Sequence, residues 1–112
     1  MSLAIRILAE PVRSLAFGSI SGTYAGIGAS FSHAIRIIFI QNLTDETLMF
    51  SLNGIDDHFP LPANGFLLLD VTANKTLAQG AFLAEGTRVY VKEIASPSTG
   101  SVYVSVFYGT TT

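Results

Sequence analysis

The chain of 112 residues contains no cysteine and no tryptophan. Without thiols there are no disulfides, no thiolate zinc centres and no cysteine nucleophiles. Charge is scarce as well: Asp, Glu, Lys and Arg make up 12% of the residues, about half the roughly 25% usual in soluble domains. The six basic residues are scattered singly and the net charge is −2, so no basic surface for nucleic acid is expected. Long apolar runs are missing too. The longest, such as residues 37–40 and 66–69, are four residues, against the ~20 of a spanning helix. A membrane barrel needs about eight strands of 9–11 residues, more than fit here. The opening MSLAIRILAEP has too short an apolar run for a secretory signal. No membrane partner is therefore expected, and the protein is expected to remain in the compartment where it is made.

What the chain does have is alternation. Residues 34–54, AIRIIFIQNLTDETLMFSLNG, read as two strands, 34–41 and 46–52, joined by a polar turn at 42–45. Asn53-Gly54 signals a second reversal, because a tight turn needs residues that tolerate positive φ. Leu48, Phe50 and Leu52 alternate with Thr47, Met49 and Ser51, the period of a half-buried strand. In the first strand Ile35, Ile37 and Phe39 share one face while Ile38 and Ile40 make the other face apolar. Such a strand is expected to be covered on both sides.

Further short strands are expected at 3–8, 12–17, 65–71, 87–93 and 101–108, with the run 66–69 deeply buried and 81–83 a short apolar piece. Residues 18–32 carry four glycines, each costing about 1 kcal/mol in a helix; this stretch reads as loop with a short strand near 23–25. Residues 55–64 and 72–80 read as loop and turn. Seven to nine short strands without an amphipathic helix predict an all-β, single-domain antiparallel β-sandwich over 1–112, jelly-roll-like or immunoglobulin-like, with residues 1–17 as an N-terminal arm or edge strand.

Sites of chemistry are sparse. Asp56, Asp57 and His58 form the one cluster of potential metal ligands, but neighbours on a strand point to opposite faces and no second cluster completes a shell. Gly26-Ile27-Gly28 with Ser30 lacks the following helix of a dinucleotide cradle. GSISG at 18–22 has isoleucine where a nucleophile elbow needs serine. Serines with His33 or His58 give only chance triads. No enzyme activity, metal or cofactor is expected. Asn42-Leu43-Thr44 and Asn74-Lys75-Thr76 match the glycosylation tripeptide but have no secretory context.

The outer faces say more. With Val102, Val104, Val106, Val89, Val91, Leu48, Phe50 and Leu52 inside, Ile38, Ile40, Met49, Tyr90, Tyr103 and Phe107 are expected to point outward as an apolar protein interface.

Residues 9–28 (AEPVRSLAFGSISGTYAGIG), 40–70 (IQNLTDETLMFSLNGIDDHFPLPANGFLLLD) and 86–109 (GTRVYVKEIASPSTGSVYVSVFYG) resemble the small cement, staple or decoration proteins of short-tailed bacteriophages. The resemblance covers most of the chain and consists of strand-and-turn phrases without a catalytic motif. It implies a jelly-roll-like virion protein that binds the major capsid protein, pairs with itself as a homodimer and stabilises the shell from outside. The alternatives are a tail or head–tail joining protein forming a ring and, from another class, a carbohydrate-binding module or a hydrolase.

Overall fold

The computed structural model describes residues 6–71 and 83–110. Among these residues nine strands are formed: β1 (Arg6–Ala9), β2 (Arg13–Ala16), β3 (Ala25–Gly26), β4 (Ile35–Asn42), β5 (Leu48–Ser51), β6 (Phe59–Leu61), β7 (Phe66–Asp70), β8 (Tyr90–Glu93) and β9 (Ser101–Thr110). One turn of 3₁₀ helix, Phe17–Ser19, follows β2. The five-stranded sheet has the order β1-β9-β4-β7, with β2 also on β9; the four-stranded sheet has the order β3-β8-β5-β6.

One rule generates this arrangement. β5 pairs with β6, β4 with β7, β3 with β8 and β2 with β9, all antiparallel. The chain is thus one long hairpin, running out through β2–β5 and back through β6–β9, wound around a common core. The pairs β4·β9 and β5·β8 close each sheet. This is the jelly roll. Its tip is the Asn53-Gly54 reversal. There the Asn53 side-chain oxygen accepts from the Ile55 and Asp56 N–H groups at 2.9 Å, and Gly54 takes φ +75°.

Between the sheets lie Ile27, Ile35, Ile38, Ile40, Leu48, Phe50, Val89, Val91, Val102, Val104 and Val106, all nearly free of solvent. Leu52 packs against this core half-buried. Their burial away from water is the main favourable contribution to the fold.

Four expectations are corrected. The strands at 34–41 and 46–52 do not form a hairpin: β4 and β5 belong to different sheets, and residues 43–47 carry the chain across. Both strands have an apolar face, and each buries it against the other's sheet. Second, Ile38 and Ile40 face the core, at 2% and 0% exposure. The register slips between Ile35 and Ile37, so Ile35 joins Ile38 and Ile40 inside, and Ile37 and Phe39 turn out. A one-residue slip exchanges the two faces of a strand. Third, the run 66–69 is not deeply buried. Among the described residues β7 ends its sheet, and Phe66, Leu68 and Leu69 are 62%, 56% and 40% exposed. Fourth, residues 59–61 of the expected loop form β6. The turn expected at 72–80, the piece at 81–82, the start of the 3–8 segment and the tripeptide at 74–76 lie outside the described residues. Among the described residues no helix is long and apolar enough to cross a membrane.

Candidate interaction faces

The outer face of the five-stranded sheet follows from its register. Three rows cross it: Ala9–Phe107–Ile37–Asp70, then Ser105–Phe39–Leu68, then Ser14–Tyr103–Gln41–Phe66. Ile7, opposite Gly109, lies beside the first row on the same face. An antiparallel sheet with one wet face normally alternates apolar inside with polar outside. Here Ile37, Phe39, Phe107 and Tyr103 are half-buried, and Ile7, Leu68 and Phe66 are exposed. The Phe39 and Phe66 rings meet edge to face at 5.5 Å. Of these positions only Asp70 carries charge.

Tyr103 and Phe107 therefore lie together on this outer face. Met49 and Tyr90 sit on the outer face of the other sheet, so the six expected residues divide among three places. Sequence reasoning missed Ile37, Phe39, Phe66 and Leu68. Their signal was the unbroken apolar runs 37–40 and 66–69, which say that both faces are greasy without saying which residue faces where.

The four-stranded sheet has a different outer surface. The loop between β5 and β6 folds against it. Asp57 accepts from the Tyr24 hydroxyl at 2.5 Å and pairs with Lys92 at 2.9 Å. The Tyr24 and Lys92 hydrogen bonds hold the Asp57 carboxyl below its usual range. Burial, then the Asp57 hydrogen bond, pushes the Tyr24 phenol up to about 12. The Lys92 ammonium lies over the Tyr24 ring at 4.8 Å, and the Arg88 guanidinium over Tyr90 at 5.6 Å. The α-carbon of Gly54 sits against the Tyr90 ring so closely that an added Cβ would lie 3.2 Å from it. Sugar stacking needs an open aromatic face, and Tyr90 is occupied by Arg88 and by the Gly54 turn.

The Asp56–His58 cluster does not assemble as a metal site. Asp56 accepts from the Asn53 amide at 2.9 Å, Asp57 is engaged as above, and His58 Nδ1 accepts from the Leu52 N–H at 2.9 Å. Among the described residues no group of three His, Asp or Glu side chains is placed to hold a metal ion. Gly26, Gly28 and Ser30 form no cradle: an added Cβ at Gly26 would overlap the Arg88 guanidinium, and the Gly28 carbonyl accepts from Arg88.

A polar cluster unforeseen in the sequence joins the β1–β2 corner to the loop before β4. Glu10, with a side chain 3% exposed, accepts from Arg13 Nη2 at 2.7 Å, from the Ser32 N–H at 3.1 Å, and meets His33 Nδ1 at 2.7 Å. Arg13 also donates to the carbonyls of Ala29 and Ser30. The His33 ring stacks on Tyr108 at 3.6 Å. Burial raises the Glu10 pKa, and the hydrogen bonds from Arg13, His33 and Ser32 outweigh it, leaving it below the usual carboxylate range. These groups line an open cleft of about 490 Å³, but they satisfy one another. Among the described residues neither histidine is hydrogen-bonded to a serine hydroxyl, so the chance triads do not form.

Asn42, matched by the glycosylation tripeptide, is wholly buried. Its amide nitrogen lies 2.9, 3.0 and 3.1 Å from the carbonyls of Glu46, Leu61 and Pro62, and its oxygen accepts from Thr44 N–H and Oγ1. A glycan has no access to it.

Fold and surface together define an all-β jelly-roll protein whose larger sheet turns an apolar face outward. No family model matches the chain, and no curated protein matches it. A solved structure described as "Bacillus endospore appendages form a novel family of disulfide-linked pili" is similar over 96% of this chain and 90% of that one, with 16% identity and a TM-score of 0.43. At that level the likeness assigns neither fold nor function, and the present chain has no cysteine with which to make such links.

Proposed function

We propose that this protein is a non-enzymatic structural component of a bacteriophage virion, a cement protein that binds the major capsid protein and other copies of itself on the outside of the shell. The observation that carries the reading is the outer face of the five-stranded sheet, where three cross-strand rows and the neighbouring Ile7 hold seven large apolar side chains and one charge. Such a face is ordinary inside an interface and unusual in water. Anchors of this kind supply affinity, and repeated engagement on a lattice adds avidity. Neither nucleic acid nor membrane enters the reading, and no cofactor is required.

The test is reconstitution. Shells lacking this protein are mixed with the purified chain and sedimented, alongside Phe39→Lys and Met49→Lys variants. Binding at a copy number comparable to the major capsid protein, lost in Phe39→Lys and kept in Met49→Lys, supports the proposal. Tens of copies at one vertex or on the tail would favour a head–tail joining protein. Absence of shell binding by the folded wild-type chain overturns it.

A further inference from the structure

The two sheets differ in how their edges are protected. An unpaired edge is a template for another strand, and soluble proteins blunt it with proline, charge, bulges or brevity. In the four-stranded sheet β3 is two residues long, and β6 carries Pro60 at its centre. In the five-stranded sheet the edge formed by β1 and β2 is interrupted at Pro11 and bears Arg6 and Arg13. β7 has none of these devices before its last residue, Asp70. Residues 66–69 are Phe-Leu-Leu-Leu, without bulge, proline or charge, and among the described residues no strand pairs with its far side.

Hydrogen-bond parity says which groups that side presents. The Asn42 N–H donates to the Gly65 carbonyl and the Val71 N–H to the Arg36 carbonyl. Antiparallel pairs alternate between bonded and non-bonded, so Leu67 and Leu69 bond to β4. The backbone groups of Phe66 and Leu68 then face the open edge, and their side chains lie on the outer face.

We infer that β7 pairs antiparallel with β7 of a second copy, about a two-fold axis through Leu67. Three features select a second copy in this register. Phe66 and Leu68, the residues with outward backbone groups, become each other's partners across the axis, which parity requires. Asp70 of one copy falls past Phe66, where β7 of the other begins, so the two Asp70 carboxylates are kept apart. The outer apolar rows also run on without a break: Phe39 and Leu68 of one copy continue into Phe66 of the next. The interface is isologous and closes as a pair. The inference concerns how copies meet and does not depend on the virion reading.

The chain lacks cysteine, so engineered thiols report cleanly on the isolated protein. Leu67→Cys copies would face each other as a non-hydrogen-bonded pair about 4.5 Å apart between α-carbons, within the range a disulfide accepts. Under mild oxidation Leu67→Cys is expected to give a reducible dimer at least about tenfold faster than Phe66→Cys alone, reflecting the high effective concentration of a paired site. Because Leu67 packs on the core, a second experiment uses exposed positions: Phe66→Cys mixed with Leu68→Cys crosslinks, while each alone does not, since equal residues there lie beyond the ~7 Å a disulfide spans. Leu68→Pro, which removes an outward N–H and leaves the β4 ladder intact, is expected to abolish the dimer without changing the circular dichroism spectrum. Equal crosslinking at all positions, none in the mixture, or a dimer that survives Leu68→Pro overturns the inference.

Discussion

Glu10 and His33, 23 positions apart, meet at 2.7 Å through a carboxylate that is almost wholly buried, and His33 in turn lies flat on Tyr108. This contact ties the corner between β1 and β2 to the loop that leads into β4, and Arg13 locks it from the other side.

Replacing Glu10 with Gln is expected to destabilise the fold by about 2–4 kcal/mol, because it leaves the Arg13 guanidinium buried without its carboxylate. Equilibrium urea unfolding at neutral pH measures this. An unchanged midpoint would mean that the carbonyls of Ala29 and Ser30 suffice for Arg13.

The same carboxylate sets part of the acid limb. Its folded pKa lies below the ordinary carboxylate value, so its contribution is whole above that value and is lost as pH falls through the depressed one. Stability of the wild type is therefore expected to drop from the usual carboxylate range downward, more steeply than that of Glu10→Gln. Asp45, held down by its hydrogen bonds from Ser98, and Asp57, held down by Tyr24 and Lys92, keep some slope in the variant. Thermal melts from neutral to acid pH compare the two slopes, and parallel curves would refute the assignment.

Asn42→Ala is expected to cost about 2–4 kcal/mol, since it strips partners from buried carbonyls at the crossing between sheets. Asn42→Asp is expected to be worse, as it turns a carboxylate toward three carbonyl oxygens. Denaturant titration of both variants gives the order.

Gly100 takes φ +90°, and an added Cβ would overlap the Leu43 carbonyl oxygen. Gly100→Ala is therefore strained by both conformation and contact, with an expected loss of at least about 2 kcal/mol. Gly86, also at positive φ but with nothing near its would-be Cβ, is the control: Gly86→Ala pays only the conformational part. Equal losses at the two sites would show that the close approach at Leu43 relaxes freely.

Much of the architecture is legible in short-range pattern. The strand at 101–108, the 90–93 part of the strand expected at 87–93, the glycine-rich stretch and the reversal at Asn53-Gly54 all follow from alternation, helix-breaking glycine and turn chemistry. The Glu10 cluster was not legible, because its members come from separate segments and are unremarkable in isolation. The outer face was half legible. Tyr103 and Phe107 were placed by the clean alternation of β9, whereas the four-residue apolar runs of β4 and β7 carry no alternation to read.

By itself, then, the order of residues determined the all-β class, most strand positions, the absence of thiol chemistry and the surplus of apolar side chains over what one core can hold. Those are local properties of composition and period. Only the tertiary structure decided that β4 and β5 part into different sheets, that β7 is the last of the described strands in its sheet, and that Ile37 and Phe39 look outward while Ile38 and Ile40 look in. The physical reason is that a strand repeats every two residues. One bulge between Ile35 and Ile37 reverses its faces, and whether a strand sits at a centre or an edge is set by partners far away in the chain.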